Sequence, residues 1–96
     1  MDFIYISNLY DYYQKLLTDK QRQYFEDYYF NNLTLSEIST NYGISRNAVH
    51  KQLKEVENKL HDYENKLKLY EKRIKLEKII NKINDEKLKK ELEKLI

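Results

Sequence analysis

Apolar side chains recur along this chain at close to the 3.6-residue spacing of α-helices, with polar residues between them. Ile6, Leu9, Tyr10, Tyr13, Leu16 and Leu17 predict the buried face of a first helix running from about Phe3 to Leu16. Thr18 followed by Gln21 has the spacing of a capping box, in which a hydroxyl and a side-chain carbonyl satisfy free amides at a helix start. A second helix is therefore expected from Asp19 to Phe30, with Tyr24, Phe25, Tyr28 and Tyr29 on its buried side. The segment NNLT ends it, because Asn and Thr side chains compete for backbone hydrogen bonds. Thr34 with Glu37 repeats the capping box and opens a third helix, Leu35 to Tyr42. So short a helix does not hold alone, so Leu35, Ile38 and Tyr42 are expected to pack it onto its neighbours.

Gly43 is the only glycine in the chain, and proline is absent. A glycine at that point ends a helix in the left-handed conformation that a Cβ disfavours. Ile44 then plugs the turn and Ser45 caps the next helix. From Arg46 no breaker appears until Asn84 and Asp85. Along this stretch Val49, Leu53, Val56, Leu60, Tyr63, Leu67, Tyr70 and Ile74 alternate spacings of four and three, which is a heptad seam. The phase then moves to Leu76, Ile79 or Ile80, and Ile83, so a bend or break is expected near residues 66 to 76, although no residue marks it. A last amphipathic helix, about Asp85 to Leu95, presents Leu88, Leu92 and Leu95.

The pattern predicts an all-α chain of 96 residues, long enough for one modest core. It divides into a helix-turn-helix domain, residues 1–62, and a C-terminal helical extension, residues 63–96, that is a candidate dimerisation element. The absence of cysteine excludes disulfides and thiolate metal sites. The opening residues MDFIYISNLYDYY lack the basic start of a signal peptide, and no apolar run approaches the roughly 18 residues of a membrane span. A cytoplasmic location without membrane insertion is the expectation. Net charge is only +2, but residues 1–50 hold four basic and six acidic side chains, leaving the positive excess to the second half.

Two helices joined by a short glycine turn, the second opening with polar and basic residues, form a helix-turn-helix. In LSEISTNYGISRNAVHKQL, Ile38 and Tyr42 face inward, Ser39 faces the following helix, and Val49 and Leu53 hold that helix down. Ser45, Arg46, Asn47, His50, Lys51 and Lys54 are the candidate nucleic-acid-binding residues. Arg can donate two hydrogen bonds to guanine, Asn can pair with adenine, and Lys and the helix N-terminus can hold phosphates. The same side chains also suit the solvated side of an amphipathic helix, and Glu55 and Glu57 dilute their charge. The heptad seam suits a homodimer, or an intramolecular core, or both in different parts.

Catalysis finds no support in the residues. His50 and His61 share a helix face but stand about 16 Å apart along it, too far to share a metal. Ser45 reads as a cap, no phosphate-binding glycine loop is present, and pairs such as Glu55 with Lys59 and Glu86 with Lys90 read as surface ion pairs. A non-enzyme without cofactors is expected.

The stretch LTDKQRQYFEDYYFNNLTLSEISTNYGISRNAVHKQLKEVENKL resembles region 4 of bacterial sigma factors, the part that reads the −35 promoter element. Still more closely it resembles the YlxM family of small bacterial proteins, a likeness that extends to LYDYYQKLLT before it and LHDYENKLKLY after it. The resemblance implies a sigma-region-4-like helix-turn-helix bundle, homodimers, and a connection to the signal recognition particle pathway through gene neighbourhood. It places any DNA reading on Ser45, Arg46, Asn47, His50 and Lys51. The chain lacks the segments with which a sigma factor binds core polymerase and melts the −10 element, so a complete sigma factor is not expected. DNA or RNA is the expected partner, as an accessory or regulatory factor; a protein-interaction role toward the particle's GTPase or RNA complex is the alternative.

Overall fold

Most helix boundaries follow local hydrogen-bond chemistry. A computed structural model describes residues 2–96, and its described residues form six α-helices: α1 Phe3–Tyr13, α2 Asp19–Tyr29, α3 Leu35–Tyr42, α4 Arg46–Leu67, α5 Leu69–Ile80 and α6 Glu86–Glu93. Both capping boxes form, Thr18 with Gln21 and Thr34 with Glu37, and the chain is all-α as expected. α1 ends earlier than its apolar pattern predicts, because Gln14–Leu16 tighten into a 3₁₀ turn. Three residues per turn rotate the side chains faster than an α-helix does, so Leu16 swings out to 53% exposure while Leu17 enters the core. Tyr28 is likewise exposed, contrary to its expected burial; the buried arc of α2 holds Gln21, Tyr24 and Phe25.

Two apolar clusters lie along α4. Ile6, Leu9, Tyr10, Tyr13, Leu17 and Phe25 meet Val56 and Leu60 in the first. In the second, Tyr24 and Ile38 meet Val49 and Leu53, with Leu35, Tyr42 and Ile44 against them. The first four heptad positions are thus spent inside the molecule. The seam does not continue as one helix: α4 stops at Leu67, Lys68 takes a left-handed conformation (φ 54°), and Leu67 is left exposed. α5 packs back against α1 and α4, and α6 against α5. The whole measures 56 × 25 × 22 Å, with a radius of gyration of 17.2 Å, against about 13 Å for a compact domain of 100 residues.

The break after Leu67 is built by side chains from elsewhere. Buried Glu64 accepts the amides of Tyr70 and Glu71, both at 3.1 Å, on its two carboxylate oxygens. The Tyr13 hydroxyl donates to Glu64 at 2.6 Å and accepts the Leu69 amide at 3.1 Å. The first three amides of α5 are thereby satisfied without an N-cap side chain at Lys68. Neither ion pair expected at Glu55–Lys59 or Glu86–Lys90 forms among the described residues; Lys59 reaches instead toward Gln21.

Three further tyrosine hydroxyls donate to carboxylates across helix contacts: Tyr10 to Glu26 at 2.6 Å, Tyr42 to Asp27 at 2.8 Å, and Tyr29 to Glu57. Burial, and then the adjacent carboxylate, raises the pKa of all four phenols, Tyr13 and Tyr42 to about 12. An unfolded tyrosine ionises near pH ~10. The stabilisation is therefore complete below that pH and is lost as pH rises toward the folded value, by roughly 1.4 kcal/mol per unit for each tyrosine in the window. Thermal melts should be level up to about pH 9 and fall steeply between about pH 10 and 12. An unchanged melting temperature at about pH 11 contradicts this.

Gly43 ends α3 at φ 65°. A methyl group added there meets nothing within 4 Å, so its cost is backbone conformation alone. Gly43→Ala should destabilise by about 1 kcal/mol, lowering the melting temperature by roughly 4–8 °C, and Gly43→Asn by less. A melting temperature at or above the wild-type value in the alanine variant would show that the turn does not need a left-handed residue.

Candidate nucleic-acid interface

The turn between α3 and α4 is fixed from both sides. The Gly43 and Ile44 amides both donate to the Ser39 carbonyl, and the Ser39 hydroxyl donates to the Ile44 carbonyl. Ile44 packs into the second cluster. The Ser45 hydroxyl accepts the Ala48 amide at 3.1 Å and so caps α4. That hydrogen bond makes Ser45 a positioning residue, with its side chain engaged by its own helix.

Val49 and Leu53 bury one side of α4, and Ser45, Arg46, Asn47, His50, Lys51 and Lys54 are all exposed. The structure thus brings the six candidates to one end of one helix. Among the described residues, Arg46, Lys51 and Lys54 have no ion-pair partner, and the amides of Arg46 and Asn47 have no acceptor. Free amides at the positive end of a 22-residue helix, beside three unpaired cations, concentrate positive charge at this end of α4. Of the two acids expected to dilute it, Glu57 accepts the Tyr29 hydroxyl and faces α2.

Residue spacing alone did not reveal a neighbouring cavity of about 630 Å³, walled by Tyr28, Tyr29, His50, Leu53, Lys54, Glu57 and His61. Both histidines line it. Periodicity places both tyrosines on the buried side of α2; Tyr29 does pack against the first cluster, whereas Tyr28 is exposed. The signal available for the cavity is α4 itself, where His50, Lys54, Glu57 and His61 recur at helical spacing. No group of three or more His, Cys, Asp or Glu side chains among the described residues is arranged to hold a metal. None of the described helices is long and apolar enough to cross a membrane.

A family model described as "Putative helix-turn-helix protein, YlxM / p13 like" matches residues 2–96. The chain belongs to the UPF0122 family. A UPF0122 protein of Malacoplasma penetrans is 51% identical over 59 residues, covering 62% of this chain and 55% of the relative. One from Thermoanaerobacter sp. is 51% identical over 57 residues, 59% of this chain and 49% of the relative. Another, from Fusobacterium nucleatum, is 43% identical over 53 residues, 55% and 52% of the two chains. The chain spans about half the length of the curated relatives it matches. The helix-turn-helix in the UPF0122 description corresponds here to α3, the Gly43 turn and α4.

Proposed function

We propose that this protein binds nucleic acid as a regulatory or accessory factor, by docking the N-terminal part of α4 into the major groove of DNA, without chemistry. The observation that carries the reading is the exposure of Arg46, Asn47, His50, Lys51 and Lys54 at the capped start of α4, where the cations have no acidic partner among the described residues. Residues 1–62 serve as the helix-turn-helix domain and residues 63–96 as a dimerisation element. By its resemblance to the YlxM family, whose genes neighbour those of the signal recognition particle, we place the activity in that pathway.

Presented in parallel with randomised DNA duplexes and a structured RNA pool at physiological salt, the protein should enrich a two-fold symmetric duplex site. Enrichment of RNA alone would transfer the same surface to an RNA partner, and no enrichment in either pool would rule out the reading.

The homodimer is supported by apolar surface that the chain leaves uncovered. Leu69, Leu76 and Ile79 recur along α5 at spacings of seven and three, at 43%, 45% and 58% exposure, and α6 adds Leu88 at 45%. Exposed apolar side chains in such number suit an association site, and a two-fold axis through them would set two α4 helices on one duplex. Leu76→Lys with Ile79→Lys should halve the mass in sedimentation equilibrium. A wild-type protein that is already monomeric, or a variant that stays dimeric, overturns the assignment.

A further inference from the structure

The cavity between α2 and α4 holds chemistry that docking on a duplex leaves unused. Its aromatic wall, Tyr28 and Tyr29, is backed by stacked rings: Tyr28 meets Tyr29 edge-on at 5.1 Å, Tyr29 stacks on Phe25 at 4.4 Å, and Phe25 on Tyr10 at 4.3 Å. Tyr29 is further fixed by its hydroxyl on Glu57. Tyr28, the outermost ring of this assembly, is 40% exposed. The opposite wall is α4, which contributes His50 and Lys54 from the candidate interface and, further along, Glu57.

A planar ring held at a cavity mouth, with a cation on one side and a carboxylate within, matches the needs of an unpaired base. Aromatic rings supply stacking that any base accepts, and basic groups follow its phosphate. A carboxylate accepts hydrogen bonds from an exocyclic amino group such as that of cytosine. An apolar peptide would cover Lys54 without offering it an acceptor, and a metal has no ligand cluster here among the described residues.

We propose that the cavity between α2 and α4 binds a single unpaired nucleobase, stacked on Tyr28, its amino edge toward Glu57 and its phosphate on Lys54 and His50. This rests on the nucleic-acid reading above and extends it: a duplex on the start of α4 that carries an overhang or bulge gains a contact that a fully paired duplex cannot make.

The test compares one duplex, fully paired or bearing a single unpaired cytidine, in DNA and RNA versions, by fluorescence anisotropy with the intact protein. The unpaired nucleotide should tighten binding about tenfold. Tyr28→Ala should erase that gain and leave the affinity for the paired duplex unchanged, whereas Tyr28→Trp should preserve it. Because the wild-type chain has no tryptophan, the new indole reports alone, and the unpaired base should quench it. A gain with either sugar supports the site and identifies its source. The absence of a gain, or a gain that survives Tyr28→Ala, overturns the pocket while leaving duplex binding in place. Failure to bind any probe overturns both readings.

Discussion

Glu64→Ala should cost about 3 kcal/mol of folding stability and lower the melting temperature by roughly 10–25 °C. Glu64 is 6% exposed, and its carboxylate receives three hydrogen bonds, from the Tyr13 hydroxyl and the amides of Tyr70 and Glu71. Hydrogen bonds to a charged group are worth about 1.5–3 kcal/mol each, and donors left buried without an acceptor add a penalty. Relaxation and water entry keep the total below their sum. Because these groups form a network, single changes will not add. Tyr13→Phe leaves the Leu69 amide without its acceptor and should cost about 1.5 kcal/mol, and the double variant should cost less than the two separate losses together. Chemical denaturation followed by circular dichroism measures all three. A Glu64→Ala protein within about 0.5 kcal/mol of wild type would show that α5 does not depend on this cap.

Arg46→Ala, Asn47→Ala and Lys51→Ala together should reduce affinity for a selected duplex at least 100-fold, on the basis that specific base contacts are worth about 1–3 kcal/mol each. All three side chains are exposed, Arg46 at the first position of α4 and Asn47 and Lys51 on the side away from Val49 and Leu53, so helicity and oligomeric mass should not change. Alanine has the highest helix propensity, which protects the fold further. Ser45 is left intact because its hydroxyl caps α4, and its loss would confuse a folding effect with a binding one. Electrophoretic mobility shift across a salt series separates the parts. Loss of Lys51 alone should flatten the salt dependence by about one unit of slope, and loss of Asn47 alone should relax sequence preference at one position. Wild-type affinity in the triple variant would remove α4 from the interface.

What could be read in advance was the chemistry written in neighbouring residues. Thr18 with Gln21, Thr34 with Glu37, Gly43 and Ser45 each act within a few positions of themselves, so α2, α3 and the start of α4 were legible to within a residue. The helix-turn-helix followed, and with it the exposed face from Arg46 to Lys54. The break at Lys68 was expected only as a region, because its cause is distant: Tyr13 lies 51 residues before Glu64, and the heptad pattern runs through the break undisturbed. Lys68 carries no mark of its left-handed conformation. Tyr28 departs from its expected burial for a related reason. Periodicity finds one face of a helix, but α2 has two apolar flanks, and only tertiary packing decides that Phe25 goes inside while Tyr28 stands over a cavity. Leu16 departs from the α-helical spacing because Gln14–Leu16 form a 3₁₀ turn.

The claim that α4 is the nucleic-acid-contacting element is tested most directly by backbone amide chemical shifts recorded as a selected duplex is added. The account predicts that the largest changes fall on Ser45 to Lys54 and on the Gly43 turn, with α5 and α6 little affected. Changes confined to α5 and α6, with residues 45 to 54 unmoved while the duplex is bound, would contradict it.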